Sequence, residues 1–585
     1  MDLVIRNGTV IDGTGADART ADVGVDNGVI VEVGKVDGRG AQEIDADGAL
    51  VTPGFVDIHT HYDGQAVWDE RLQPSSLHGV TTVVMTNCGV GFAPVRPEDR
   101  QRLVELMEGV EDIPGTAIHE GLTWEWESFG EYLDALDRRA HDIDFAAQVP
   151  HGPLRLYVMG DRGGRGDTAT PEEIAEMGRL AAEAVDAGAL GFTTSRTRNH
   201  RTVKGEPTPT LKAPREELVG IAQALGHLGK GVLQVVSDFL DVDDEFGTVR
   251  AMAEQSGRPI SISLTQVPFA PHQYKTLLDN ITQANEDGVV VRAQVAPRAV
   301  GLLLGLQASM NPFLGNPAYM EIASLPLADR VAAMREPGRR EAILAAAQGH
   351  NGIFGFDRIF DLGDPPNYEP AADESIAAQA ARADRTAQEL AYDMMLADEG
   401  KALLYTPFLN YADGNLDAAR EMLAHPYTVP GLGDGGAHVG TICDASFITT
   451  LLTHWGRDRK DGRFGLPYLV QQHCRDTART VGLCDRGVLA PGYRADVNVI
   501  DFDNLRLERP EIHHDLPAGG RRLLQGVRGY KHTVVAGVET YRDGEATGAL
   551  PGKLVRGAQP IPAERWPTSP RRRSSTSRLR SSPTT

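Results

Sequence analysis

GFVDIHTH (54–61) is the stretch on which the reading of this 585-residue chain turns. An apolar run from Gly54 to Ile58 ends in two histidines separated by one residue. On a β-strand, side chains at i and i+2 project from the same face, so His59 and His61 are expected to point the same way. Two imidazoles side by side at a strand end can chelate a divalent metal with little reorganisation. An HxH by itself is equally well two ordinary polar residues closing a strand, so its surroundings decide.

Seven further short apolar runs follow: TTVVMTNC (81–88), IDFAAQV (143–149), ALGFTTS (189–195), GVLQVVSD (231–238), PISISLTQ (259–266), GVVVRAQV (288–295) and YTVPGLGD (427–434). Helix-like segments such as PEEIAEMGRLAAEAVDAG (171–188) separate them. Eight strands alternating with helices predict an α/β chain built as a (β/α)8 TIM barrel, with the HxH at its catalytic mouth. A doubly wound open sheet is the alternative, but no Gly-rich dinucleotide fingerprint follows an early strand. Residues 305–400, rich in helix formers, read as a cap-like insertion late in the barrel. The first fifty residues, and later GVLAPGYRADVNVIDFD and HTVVAGVETYRDGEATG, show short alternating strands punctuated by Asn-Gly, Asp-Gly and Gly. Residues 1–52 and 485–556 are therefore expected to form one small β-sandwich domain flanking a barrel of residues 53–484.

The length exceeds what one small core needs, which suits this division. The 81 Asp and Glu outnumber the 58 Lys and Arg, giving a net charge of −23, and such acidity argues against a nucleic-acid surface. Six arginines and no acid in RWPTSPRRRSSTSRLRSSPTT (565–585) leave the rest of the chain at −29. Residues 557–585 read as a disordered basic tail. Four cysteines, Cys88, Cys443, Cys474 and Cys484, are too few for a disulfide scaffold and fit a reducing cytoplasm. MDLVIRNGTV lacks the basic and apolar regions of a signal peptide, and no apolar run reaches about 18 residues, so no membrane span is expected. The expectation is a cytoplasmic enzyme, with a homo-oligomer left open.

The run DGALVTPGFVDIHTHYD, its flanking β segments and the late GVLAPGYRADVNVID resemble the amidohydrolase superfamily of metal-dependent hydrolases. TTVVMTNCGVGFAPV, GALGFTTSR and GLGDGGAHVG are similar to its D-aminoacylase (N-acyl-D-amino-acid deacylase) branch, and the resemblance runs in order over roughly residues 1–555. It implies metal ligation by His59 and His61, zinc ligation by Cys88, and a strand-eight aspartate, Asp434, that touches the metal and shuttles the proton. The chain departs from the branch at strands five and six, where metal histidines are absent. Gln234 or Asp238, and Leu264 or Gln266, stand there instead. Leucine cannot ligate and amides bind zinc weakly, so one Zn2+ is expected rather than two. His200 or His438 is the candidate to move into the gap.

Arg196 and Arg298 are candidates to grip a substrate carboxylate, His200 is a further substrate contact, and Trp124 with Trp126 is a candidate acyl pocket. The function this implies is hydrolysis of a linear, non-peptide amide C–N bond in a small-molecule substrate carrying a carboxylate, with Asp434 as proton shuttle. Hydrolysis of another amide (cyclic, small peptide or acylated xenobiotic) and a non-catalytic binding protein on a degraded barrel are the alternatives.

Overall fold

A computed structural model describes residues 1–347 and 355–563. Most of the basic tail therefore lies outside the described residues. All eight expected runs contain barrel strands: β1 (Phe55–Asp57), β2 (Val80–Met85), β3 (Asp144–Ala147), β4 (Gly191–Arg196), β5 (Val232–Ser237), β6 (Ile260–Ser263), β7 (Val291–Val295) and β8 (Thr428–Pro430). Each pairs in parallel with its successor, apart from two interruptions. Gln148 breaks the third strand, so that β3 pairs with β2 while Val149–Pro150 pairs with β4. Between β7 and β8 comes the insertion, yet the two strands still pair directly. A parallel bridge from Thr60 to Gly435 joins the first strand to the eighth and closes the TIM barrel.

The helices follow the local code. Pro171–Asp186 begins at Thr170, whose side chain accepts from the Glu173 amide while Glu173 reaches back, with Pro171 in the first turn. Its Met177, Ala181, Ala184 and Val185 are buried at helical spacing. Among the described residues no helix is long and apolar enough to cross a membrane.

A nine-stranded sheet draws on both ends of the chain. Leu50–Pro53 runs antiparallel to Val497–Ile500, with Val51 opposite Val499. Leu3, Ile5, Val23, Val25, Val497 and Val534 fill its core. The hairpin between Arg19–Asp26 and Val29–Gly34 turns on Asn27-Gly28, both at positive φ (50° and 74°), as the Asn-Gly signal requires. A second hairpin, Arg506–Leu516 with Gly520–Arg528, leaves this sheet and returns to the barrel mouth, where the Leu523 amide donates to the Val439 carbonyl at 2.6 Å. Pro510 and a run of charged residues hide it from a reading based on alternation.

The insertion has its own core, including Phe313, Tyr319, Met334, Tyr392 and Met395. Its helices Leu327–Arg335, Pro337–Ala346, Ile376–Arg382 and Ala387–Met395 stand on an antiparallel pair, Val300–Leu304 with Leu404–Leu409.

Asp144 of β3 ties the barrel to the chain's later segment. Its buried carboxylate accepts from Arg486 and Arg494, each at 2.8 Å. Removing one partner of a buried pair leaves uncompensated charge and costs about 3–5 kcal/mol. Asp144→Ala is expected to lower the urea unfolding midpoint accordingly; an unchanged midpoint would show that Asp485 and Asp496, already 2.9 and 3.2 Å from the two arginines, compensate both.

Candidate metal centre

Four side chains converge at the mouth of the barrel. His59 Nε2 lies 3.2 Å from Cys88 Sγ and 3.5 Å from Asp434 Oδ1, and His61 Nε2 lies 3.6 Å from the same oxygen. Ligand atoms of His59, His61 and Cys88 all fall within 4.8 Å of one another. Both histidines and Cys88 are buried. Asp434 Oδ1 is buried without a hydrogen-bond partner, although two imidazole nitrogens face it.

The barrel closure sets this geometry. The Asp434 amide donates to the His59 carbonyl at 2.9 Å and the His61 amide to the Gly435 carbonyl at 2.7 Å, so one seam registers the histidines against the aspartate. No side chain fits beside Asp434: a Cβ on Gly433 would come 2.5 Å from Asp57 Oδ2, and one on Gly435 would come 2.4 Å from Ser75 Oγ. The backbone is strained around the cluster. Thr86, Cys88, Leu432, Asp434 and His438 all hold positive φ, at 66°, 56°, 64°, 46° and 49°. Such conformations cost of order 1–3 kcal/mol each and persist only where the surroundings impose them. For the second-strand loop, Thr86 N donates to Asp63, Asn87 Nδ2 to the Thr60 and Val84 carbonyls, and Gly89 N to Thr193 Oγ1.

The outward nitrogen of His59 is also fixed. His59 Nδ1 donates to Gln294 Oε1 at 2.7 Å, since Gln294 Nε2 is committed to Ser261. That tautomer leaves the Nε2 lone pair for the centre. Burial pushes His59 down to about 4, only partly opposed by Asp434, so it stays neutral at pH 7. Burial raises the Asp434 carboxyl, but the facing His61 imidazole, with smaller contributions from His59 and His438, outweighs this and holds it well below the usual carboxylate range. Burial pushes the Cys88 thiol up to about 12. A strong positive charge at Sγ is needed to make it a thiolate, which a divalent ion supplies. An orphaned carboxylate oxygen, two oriented imidazoles and a thiol form a donor set suited to Zn2+.

The other sequence candidates divide. His200 Nδ1 lies 3.0 Å from Ser195 Oγ, and burial together with His438, His61 and His59 pushes the ring down to about 3, which puts it in the same electrostatic basin. His438 Nε2 lies 4.0 Å from Asp434 Oδ2. Arg196, expected to grip a substrate carboxylate, instead holds Glu245 through two bonds of 2.7 and 3.0 Å and donates to the Ala213 carbonyl. Arg298 is likewise committed: it is buried, donates to Ser446, Thr450, Asp444 and the Cys443 carbonyl, and stacks 3.8 Å over Tyr368. Both guanidiniums are engaged by internal partners, with Arg298 Nε left unpaired among the described residues. Trp126 is a core residue whose Nε1 donates to the Phe92 carbonyl, and Trp124 packs beside it.

At the strand-five and strand-six positions, Asp238 binds Thr197 and the Arg198 amide, Leu264 is core, and Gln266 holds Asn410, Ala412 and Asp413. Gln234, opposite Thr193 and Ser261 in register, is buried with both amide atoms unpaired among the described residues. Sequence reasoning missed Glu111 and Gln294. Glu111 ends the helix Arg100–Glu111 and sits at i+8 from buried Leu103 and i+4 from buried Met107, so an acid on the apolar stripe was its only signal. Gln294 carried none.

A family model described as the amidohydrolase family matches residues 42–541. An uncharacterised protein of Mycobacterium tuberculosis is 26% identical over 94% of this chain and 93% of its own length. A D-aminoacylase of Alcaligenes xylosoxydans xylosoxydans is 34% identical over 39% of this chain and 43% of its own. Among solved structures, an N-acyl-D-glutamate deacylase of Bordetella bronchiseptica, complexed with zinc and a phosphonate inhibitor, superimposes with TM-score 0.63 at 25% identity, covering 95% of this chain and 99% of that one.

His59→Ala and His61→Ala are each expected to reduce bound Zn2+ from about one equivalent to trace levels after dialysis. Elemental analysis of the folded variants checks this, and full retention of zinc would remove the histidines from the centre.

Proposed function

The chain belongs to the amidohydrolase family, and from that premise we propose that it is a zinc-dependent hydrolase of linear amide bonds in N-acyl amino acids, of the D-aminoacylase type. The observation that carries the reading is the convergence of His59 Nε2, His61 Nε2, Cys88 Sγ and Asp434 Oδ1, with the outer nitrogen of His59 tied back. Those four residues would hold one ion. When bound, the ion supplies Lewis acidity that polarises a substrate carbonyl and eases ionisation of a water.

The chain's own groups do the rest. Asp434 stays ionised at neutral pH, and its Oδ2 is free to take a proton from the attacking water. Water oxygen bonds to the carbonyl carbon, the C–N bond breaks, and Asp434 returns the proton to the leaving nitrogen. The products are a carboxylate and an amine. His200, steadied at Nδ1 by Ser195, offers its other nitrogen to the substrate. Asp434 also lines a cavity of about 20 Å³, but His59, His61 and Cys88 are not among its lining residues. A groove of about 930 Å³ lined by Arg102, Glu105, Lys204 and Lys212 includes none of the four ligands.

Gln234 favours a second reading, hydrolysis of a different amide. It stands on the fifth strand, where no histidine is present, and its unpaired donor and acceptor could serve a substrate with two complementary hydrogen bonds.

The test is amine release from a panel of N-acyl-D- and N-acyl-L-amino acids, with cyclic amides alongside, using Zn2+-loaded protein. D-selective release is expected. Release from cyclic amides alone would favour the second reading, and no release with any metal would overturn both. Asp434→Asn is expected to lower kcat by about 10²–10⁴-fold, the span of general acid–base catalysis. Full activity in that variant would remove Asp434 from the proton path.

A further inference from the structure

Each metal-facing histidine has a second nitrogen, and the two are backed differently. Behind His59 stands the neutral amide of Gln294. Behind His61 stands a carboxylate: Glu111 Oε1 is 3.2 Å from His61 Nδ1. Glu111 is 1% exposed, and neither of its oxygens has a well-aligned hydrogen bond among the described residues. A buried carboxylate with two unsatisfied oxygens is costly unless a charge or donor is brought to it. At 3.2 Å, a slight turn of the His61 ring aligns its N–H with Oε1. That turn leaves Nε2 as the lone pair facing Asp434.

We infer that Glu111 is a positioning residue of the metal centre, the outer carboxylate that holds His61 in its ligating tautomer and raises its basicity. The inference rests on the metal-dependent reading above and deepens it. Two imidazoles, a thiolate and the Asp434 carboxylate already balance a divalent ion, so Glu111 adds one negative charge behind a ligand. A carboxylate behind a ligating imidazole makes it a stronger donor, and losing such an outer partner typically costs 10–100-fold in metal affinity. Here the extra donor strength lies in a centre whose fifth and sixth strands bear no histidine.

Glu111 also reaches the loop that carries Asp434. Its backbone carbonyl accepts from the His438 amide, and its Oε2 lies 3.8 Å from His438 Nε2. The adjacent Asp112 works on the same loop without touching His61. It accepts from the Gly440 amide and Thr441 Oγ1, and from Ser309 Oγ of the insertion. Asp112 is therefore the natural control, because Asp112→Asn keeps the side chain's shape and an acceptor oxygen for the loop and leaves the carboxylate behind His61 in place.

Zn2+ affinity, measured by competition with a chromophoric chelator on the full chain, tests the inference. Glu111→Gln keeps the shape and removes the charge, and is expected to weaken binding by about 10–100-fold. Glu111→Asp is expected to restore part of the loss, and Asp112→Asn to bind as wild type does. In Co2+-loaded protein, Glu111→Gln should shift the visible ligand-field bands while the Cys88 thiolate-to-metal band persists. Should Glu111→Gln fail to fold, Glu111→Asp against Asp112→Asn carries the same comparison. Wild-type affinity in Glu111→Gln, or an equal loss in Asp112→Asn, overturns the inference. Wild-type protein that binds no metal overturns it together with the functional reading. Tight metal binding without amide hydrolysis sinks only the functional reading.

Discussion

The seam between the first and eighth barrel strands is the constraint on which the rest depends. Two backbone hydrogen bonds, Asp434 N to His59 O and His61 N to Gly435 O, close the barrel and register the two histidines against the aspartate. Shifting that register by one residue would turn the side chains to the other face. The glycines flanking Asp434 follow from the same seam, because Asp57 and Ser75 occupy the space where side chains would go. Five non-glycine residues at positive φ show that the surrounding contacts over-determine the backbone there.

Around this seam the outer partners are asymmetric: an amide behind His59 and a carboxylate beside His61. The parts of the chain that reach the mouth come from far apart in sequence. The insertion touches it through Ser309 and the late hairpin through Leu523, while Arg521 of the hairpin donates to Ser309 Oγ. Gln525 of the same hairpin accepts from Ser446 Oγ and from Tyr368 OH of the insertion, which ties three segments together beside the centre.

Much of the barrel was legible because parallel strands buried on both faces read as apolar runs, and because caps such as Thr170-Pro171 and turns such as Asn27-Gly28 are local. The HxH was legible for the same reason: i and i+2 share a face whatever lies around them. The internal partners of the arginines were not legible because a guanidinium after a strand looks the same whether it meets a ligand or an internal partner. Glu245 lies 49 residues from Arg196, and Asp444 lies 146 from Arg298. Gln294 and Glu111 stayed invisible for the complementary reason, since their roles are defined by His59 and His61 in other elements.

Sequence alone determined what short-range chemistry can determine: eight strands in barrel order, the paired histidines, the cysteine ending the second strand, and the loss of histidines at strands five and six. Tertiary structure decided which polar groups face one another. It committed Arg196 and Arg298 to internal partners, left Gln234 unpaired, and set Glu111 against His61. The physical reason is that backbone preference acts over a few residues, whereas the partner of a buried polar group is chosen by chain closure, which brings together positions with no relation in sequence.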